Sequence, residues 1–224
     1  MSSPLSAPSR AFFRQLRPAS AWLLCLGLPC FLALAFLVTT QGHANGLDAL
    51  AAEWSIRMRS QGLTRVLLVI THLHSVMAIT AYAVGLSVFL IVVPRHRHWL
   101  LPLWLIVPGG ALLNAVMKQA FARPRPVVDE PLLTLATFSF PSGHASGTTL
   151  LYGFLALVAL VHLPRSPWRW VVGTMALLAI ALVSWSRVYL GVHFFTDVLA
   201  GVAEAWVWLA LCVILLSART RPGD

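Results

Sequence analysis

The chain has 224 residues, of which 58% are hydrophobic and only 10% are charged. Its mean hydropathy of +0.80 is too high for an ordinary soluble domain, so the composition predicts a polytopic membrane protein. The net charge of +9 would suit nucleic-acid binding. No basic surface interleaved with aromatic residues is available to form such a site, however, so we predict no nucleic-acid partner.

Six apolar stretches are long enough to cross the hydrocarbon layer, which takes about 20 residues of helix. They lie near residues 20–39, 66–93, 99–117, 145–163, 169–185 and 197–217. The sequence therefore predicts an all-α fold with six transmembrane helices in one bundle. The membrane domain covers residues 20–217, between two cytoplasmic tails at residues 1–19 and 218–224. The polar segment 41–65 is predicted to be a short outer connection with room for a short surface helix.

The first helix has an alternative interpretation, because basic residues followed by an apolar run also describe a secretory signal peptide. The apolar stretch from Ala21 to Val38 is longer than the apolar region of such peptides. Ala44 is only a weak cleavage signal. We therefore predict an uncleaved signal anchor.

The distribution of basic residues predicts the orientation of the helices, because Lys and Arg accumulate in cytoplasmic loops. Nine basic residues flank the spans on the side of the N-terminus, namely Arg10, Arg14, Arg17, Arg95, Arg97, Arg165, Arg169, Arg219 and Arg221. Both termini are therefore predicted to be cytoplasmic. The remaining basic residues then lie on the opposite, periplasmic or extracellular side.

Three polar segments interrupt this apolar sequence: residues 118–126, 141–144 and 186–197. Ionisable side chains are costly inside a membrane domain and therefore mark functional sites. The predicted topology places all three segments at the outer ends of the helices. We expect the functional site at that surface.

The first and third segments supply three cations, Lys118, Arg125 and Arg187. A phosphate monoester carries close to two negative charges at neutral pH and needs several fixed cations. Arginine offers it a fork of donors, whereas lysine acts as a compact point charge. Pro124 and Pro126 are expected to end the third helix and to hold Arg125 on a stiff loop. Taken alone, the three cations are also compatible with charges at the membrane interface.

The second segment is Pro141-Ser142-Gly143-His144 and directly precedes the fourth apolar stretch. Ser142 is predicted to be the N-cap of that helix, whose free N–H groups form an anion site. Gly143 allows the backbone to approach a phosphate closely. His144 is placed to protonate a leaving oxygen. As an isolated motif, the segment is equally typical of a helix cap beside an interfacial histidine.

The third segment contains His193 and Asp197, four residues apart. On a helix this spacing places both side chains on one face, at a solvent-facing helix start. The carboxylate can then accept a hydrogen bond from one imidazole nitrogen and leave the other free to attack an electrophile. An isolated pair of this kind is also compatible with an interfacial histidine bonded to a neighbouring acid.

The spacing of all three segments together resembles the signature of the type 2 phosphatidic acid phosphatase superfamily. Six residues separate Lys118 from Arg125-Pro126, and five separate Ser186-Arg187 from His193. The second segment matches without a gap, and the resemblance covers residues 118–197. It implies that His193 attacks phosphorus to form a phosphohistidine. It also implies that five other residues of the pattern bind the phosphate: Lys118, Arg125, Ser142, Gly143 and Arg187.

The same resemblance implies that Asp197 holds His193 and that His144 donates a proton to the leaving group. It implies neither a metal nor any other cofactor, and the sequence contains no carboxylate cluster or Cys/His set that would suggest one. The resemblance also agrees with a membrane protein of six spans. The oligomeric state stays open.

These observations predict a metal-independent hydrolase that acts on a lipid-linked phosphate or diphosphate, of the undecaprenyl diphosphate, phosphatidylglycerophosphate or phosphatidate type. The expected location is the bacterial inner membrane, with the site facing outward. One alternative is a lipid phosphotransferase with the same phosphohistidine, which a second lipid headgroup would intercept in place of water. A non-catalytic carrier of anionic lipids is the other alternative.

Several further polar residues lie within or next to the predicted spans. Glu204 shares a helix face with Asp197 about two turns deeper, where it either forms a structural hydrogen bond or lines the substrate site. His72 and His74 point to different faces of the second helix and are expected to form interhelical hydrogen bonds. The cysteines are predicted to be packing residues: Cys25, Cys30 and Cys212.

Overall fold

The structure is a computed structural model that describes residues 7–41, 45–127, 132–133, 135–163 and 167–218. The regular secondary structure of these residues is helical, and the segment between α5 and α6 is irregular where it is described. The α-helices are α1 (Ala7–Gln41), α2 (Gly46–Arg57), α3 (Gln61–Leu73), α4 (Val76–Val92), α5 (Leu100–Phe121), α6 (Gly143–His162), α7 (Trp168–Tyr189) and α8 (Phe195–Ala218). A 3-10 helix, Pro94–Trp99, joins α4 to α5. The basic residues Arg165, Arg219 and Arg221 lie outside the described residues.

Among the residues that the structure describes, five helical segments are each long and apolar enough to cross a membrane, and α3 with α4 forms a sixth span if the bent pair is counted as one. The all-α prediction is therefore confirmed. The sequence predicted a single helix near residues 66–93, whereas this region contains two helices, α3 and α4, that meet at an angle of 46°. The break occurs because Ser75 starts a new helix, its hydroxyl accepting a hydrogen bond from the Ala78 N–H.

The first helix begins at Ala7, so the described part of the predicted tail 1–19 is helical. This corrects the sequence interpretation, which took the start of the apolar stretch as the start of the helix. The additional turns are stabilised by packing: Phe13 is fully buried, and its ring lies 5.9 Å from that of Trp99. The predicted surface helix within 41–65 is present as α2.

Helix α8 lies at the centre of the bundle and contacts α1, α2, α5, α6 and α7. Its approach to the start of α6 requires a glycine. A Cβ atom at Gly201 would lie 2.5 Å from the carbonyl oxygen of Ser142, closer than real Cβ contacts allow. The close contact is reinforced where the Ser142 N–H donates to the Asp197 carbonyl at 2.9 Å. This packing fixes the second and third polar segments against each other.

The two ends of the bundle differ in composition. At one end, Phe13 and Trp99 pack together, and the rings of His96 and His162 lie 5.5 Å apart. Arg169 donates to the carbonyl oxygen of Leu160 at this end. The three polar segments meet at the other end, where the last turn of α5 and the first turns of α6 and α8 come together.

Candidate active site

His193 lies between α7 and α8 and is only 3% exposed. Its Nδ1 lies 3.4 Å from Asp197 Oδ2, and its Nε2 lies 3.2 Å from Arg125 Nη1. The expected pairing with Asp197 is therefore present, but two details differ from the sequence prediction. His193 precedes the helix because α8 begins at Phe195, and the side chain is buried rather than solvent-facing.

Burial lowers the pKa of His193 to about 3. The hydrogen bond and the negative charge of Asp197 raise this pKa, while the positive charges of Lys118 and Arg125 lower it. The imidazole is therefore neutral at physiological pH. A neutral ring that donates from Nδ1 to a carboxylate presents a lone pair at Nε2, which is the state that a nucleophile requires.

Asp197 is fully buried in the first turn of α8 and is surrounded by donors. Its Oδ1 accepts from Arg123 Nη1 at 2.5 Å, and its Oδ2 accepts from the Phe194 N–H at 2.9 Å. Ser139 Oγ donates to the same Oδ2. These bonds fix the carboxylate in the orientation that faces His193.

Arg123 connects Asp197 to a second buried carboxylate, that of Asp48. Sequence reasoning did not identify Arg123 as part of the site. Its Nη2 donates to Asp48 Oδ2 at 2.8 Å, and its guanidinium lies 4.0 Å from the centre of the Phe194 ring. Asp48 Oδ1 in turn accepts from the Thr196 N–H at 2.9 Å. The side chains of Arg123, Asp48 and Asp197 are all at most 3% exposed. Together they form a buried Asp–Arg–Asp arrangement.

The sequence could have indicated Arg123, because Arg123-Pro124 repeats the Arg-Pro pair of Arg125-Pro126 directly before it. No comparable pattern marks Asp48, because it lies in the short connection 41–65 that was expected to lie at the surface. Ser139 was also missed. Its hydroxyl lies 3.4 Å from His193 Nδ1 in addition to contacting Asp197.

Arg125 lies in the loop after α5, as the flanking prolines predicted. It is held by backbone carbonyls: its Nη1 donates to Val192 O at 2.6 Å and its Nε to Thr137 O at 2.7 Å. Burial lowers the pKa of Arg125, and the nearby Asp197 opposes the shift. Lys118 Nζ donates to the carbonyl oxygen of Phe138 at 2.7 Å. Both cations are thus fixed by neutral acceptors, and their charge is available to an anion.

Arg187 is 1% exposed, and its Nη1 donates to Thr71 Oγ1. Its Nε and Nη2 have no hydrogen-bond partner among the described residues. The same is true of the Ser142 hydroxyl, which occupies the N-cap position of α6 without bonding the helix. Buried donors without partners are costly, and they are rare in folded proteins unless a ligand or water completes them. Their presence here points to a bound anion.

Gly143 and His144 form the first turn of α6. A Cβ atom at Gly143 would lie 3.1 Å from Asn114 Oδ1, which is a tight contact, and 3.6 Å from Lys118 Cε, which is an ordinary one. His144 is partly buried and lies within electrostatic range of His193 and Arg187. The structure thus brings every predicted site residue to one end of the bundle.

The remaining polar residues fall outside this cluster. Glu204 Oε2 accepts a hydrogen bond from Asn114 Nδ2 at 2.7 Å. His74 bonds Tyr152 between helices at 3.0 Å, whereas His72 bonds its own helix at Leu68. Cys212 is buried, and Cys25 and Cys30 are exposed. Within the described residues, no group of three or more His, Cys, Asp or Glu side chains is arranged to hold a metal ion.

Comparison with known proteins agrees with this fold. The model of the PAP2 superfamily matches residues 99–221, more than half of the chain. Phosphatidylglycerophosphatase B of Bacillus subtilis is 35% identical over 181 residues, which cover 77% of this chain and 87% of the relative. An undecaprenyl-diphosphatase of Sulfolobus acidocaldarius is 31% identical over 132 residues, which cover 55% of this chain and 59% of that protein.

A solved structure shows the same architecture. The crystal structure of a transmembrane PAP2 type phosphatidylglycerolphosphate phosphatase from Bacillus subtilis superposes with a TM-score of 0.74 at 30% identity. The match covers 92% of this chain and 98% of that one. The chain therefore belongs to the PAP2 superfamily and is an integral membrane phosphatase.

Proposed function

We propose that this protein hydrolyses a lipid-linked phosphate or diphosphate by way of a phosphohistidine on His193. Nε2 of His193 attacks the terminal phosphorus, and the bond from that phosphorus to the leaving oxygen breaks. The leaving oxygen is the lipid oxygen of a monoester or the bridging oxygen of a diphosphate. His144, in its protonated form beside the bound anion, gives its proton to that oxygen and becomes neutral. His144 then takes a proton from the water that attacks the phosphohistidine. Phosphate leaves, and both histidines return to their starting states.

The main support for this proposal is the difference between the surroundings of the two ring nitrogens of His193. The Nδ1 face lies against Asp197, which orients the ring and stabilises the positive charge that develops on it during attack. The Nε2 face lies beside Arg125, in the same cluster as Lys118 and the incompletely bonded Arg187. These cations are placed to stabilise charge on the equatorial oxygens of the transferred phosphoryl group.

A lipid substrate is supported by a cavity of about 370 Å³ between α4, α5 and α6. Lys118 and Gly143 line the cavity at the catalytic end, and Trp104 and Val84 line it far from that end. Along α5, the distance from Lys118 to Trp104 corresponds to about 21 Å at 1.5 Å per residue. A phosphate bound at the cations could therefore have its hydrocarbon tail in this cavity.

Phosphate release from purified protein tests the proposal. Phosphatidate, phosphatidylglycerophosphate and undecaprenyl diphosphate are presented in detergent micelles, with excess chelator present throughout. We expect release from at least one of them, and loss of release in the His193→Ala variant. Lipid binding without release would favour the anionic-lipid carrier. Transfer of the phosphoryl group to an added lipid alcohol, at the expense of free phosphate, would favour the phosphotransferase.

We also propose that the site faces outward from a bacterial inner membrane, with both termini in the cytoplasm. Basic residues at the opposite end of the bundle, among them Arg95, Arg97 and Arg169, support this orientation. After replacement of the native cysteines, an impermeant thiol reagent applied to intact cells should label Val127→Cys, whose side chain is 99% exposed near the site. Arg95→Cys should be labelled only after lysis. The reverse pattern would invert the topology.

A further inference from the structure

Helix α2 presents three sides of different character. Asp48 and Ser55 are buried against the bundle. Glu53 and Arg57 form an exposed ion pair at 2.5 Å. The third side is apolar, and its members lie within about 60° of one another at about 100° of rotation per residue. They are here called the α2 apolar face: Leu47, Leu50 and Trp54.

The α2 apolar face is unusually exposed for large hydrophobic side chains on one side of a short helix. The three side chains are 54%, 65% and 57% exposed, in chain order. A helix of 12 residues is marginal in water by itself, so its stability depends on what packs against it. Contiguous exposed apolar surface marks a place where a protein, a ligand or a membrane binds.

The surface next to α2 indicates which of these partners covers the face. Trp54 lines a cavity of about 480 Å³ between α2, α7 and α8. Leu177 and Leu199 also line this cavity, and both are exposed on the outer surface of helices that are long and apolar enough to span a membrane. From Val188 to Leu177 the cavity follows α7 for roughly 16 Å. The α2 apolar face is therefore continuous with a surface that acyl chains cover.

The buried side of α2 belongs to the catalytic network. Asp48 Oδ2 accepts from Arg123 Nη2 at 2.8 Å, and its Oδ1 accepts from the Thr196 N–H at 2.9 Å. Arg123 also bonds Asp197, which faces His193. A displacement of α2 would thus withdraw one carboxylate from the group of charges that fixes the nucleophile.

We propose that α2 lies in the membrane interface on the side of the active site, with its apolar face among phospholipid acyl chains, and that this contact holds Asp48 in the network that orients His193. Trp54 is then a positioning residue that acts through Asp48. The Glu53–Arg57 pair stays among the headgroups, as the polar side of an interfacial helix does. The effect on His193 rests on the function proposed above, whereas the lipid contact does not.

Spin labels on the full chain in phospholipid vesicles test the lipid contact. The native cysteines are replaced, and single labels are attached at Leu50→Cys, Trp54→Cys and, as the matched control on the same helix, Glu53→Cys. Oxygen partitions into the acyl region and a nickel chelate into water. We expect the first two labels to relax mainly with oxygen and the control mainly with nickel. Nickel access at all three would overturn the contact, and dipolar broadening at Trp54→Cys would assign the face to a second copy of the chain instead.

Kinetics in the same vesicles test the link to the active site. Trp54→Gln weakens the lipid contact, so kcat for a lipid phosphate should fall by roughly three- to tenfold with little change in KM. Trp54→Leu keeps an apolar side chain and should recover most of the rate. Glu53→Gln should match the wild type. A thermal midpoint in detergent checks that each variant is folded.

The outcomes separate the lipid contact from its effect on catalysis. An unchanged kcat in Trp54→Gln would overturn the link to His193. Equal losses in Trp54→Gln and Trp54→Leu would also overturn it, because they would show a packing role specific to the indole. A wild type inactive on every lipid phosphate would overturn the proposed function and the link with it. The spin-label measurement needs no turnover and decides the lipid contact in every case.

Discussion

The two sides of His193 are built in opposite ways. On the Nδ1 side, opposite charges are paired within the protein: Asp197 with Arg123, and Arg123 with Asp48. On the Nε2 side, Lys118, Arg125 and Arg187 bond only neutral groups among the described residues, and Arg187 keeps two buried donors without a partner. In the first region each charge has an opposite charge as its partner within the protein, whereas we propose that an anion completes the second region.

This contrast assigns different purposes to two buried arginines, Arg123 on the Nδ1 side and Arg187 on the Nε2 side. Removing one partner from a buried ion pair leaves an uncompensated charge and is strongly destabilising. Removing a buried cation that lacks a charged partner relieves a desolvation cost instead. The paired region therefore contributes to folding and to the orientation of His193. We propose that the cation region lowers folding stability and serves to bind phosphate and to stabilise charge during its transfer.

The largest expected effect within this comparison is that of Asp197→Asn, on the paired side. The change removes the charge that stabilises the imidazolium and favours the wrong ring tautomer. We expect kcat to fall by roughly 10³- to 10⁴-fold with a smaller change in KM, by analogy with other aspartate–histidine pairs. Steady-state kinetics on a lipid phosphate measure both constants. A change confined to KM would contradict the assigned role.

Replacing the two arginines by methionine separates the regions most clearly. Arg123→Met leaves the buried carboxylates of Asp48 and Asp197 without their cationic partner, so the free energy of unfolding should fall by about 3–5 kcal/mol. Arg187→Met should leave the stability unchanged or higher, while the affinity for vanadate or inorganic phosphate is lost. Thermal midpoints in detergent, with and without phosphate, give the comparison. Equal destabilisation by both variants would show that the two sides do not differ as described.

A smaller effect is expected for Arg125→Lys, which retains the charge but not the planar fork of donors. The guanidinium of Arg125 contacts Val192 O and Thr137 O as well as facing His193 Nε2. Loss of this positioning should lower kcat/KM by roughly tenfold, the effect of one charge-assisted hydrogen bond. Wild-type kinetics in this variant would mean that Arg125 is only an interfacial charge.

Sequence reasoning located the structural features that depend on local spacing. The three polar segments, the proline-delimited loop of Arg125 and the N-cap position of Ser142 could all be read from a few adjacent residues. The Arg123–Asp48 pair could not, because Asp48 lies on α2 and Arg123 follows α5, 75 residues further along the chain. The two meet only at the start of α8, where both bond Thr196. The burial of Phe13, and with it the early start of α1, likewise depends on a distant partner, Trp99. Periodicity and hydropathy contain no information about such contacts.

The most direct test of the account is to trap the covalent intermediate. Purified wild-type protein is mixed briefly with a lipid phosphate labelled at phosphorus, quenched, and separated from the lipid. We predict label on the protein that is stable to base and labile to acid, as a phosphohistidine is, and no label on a folded His193→Ala variant. Label that persists in His193→Ala would place the nucleophile elsewhere and contradict the central claim.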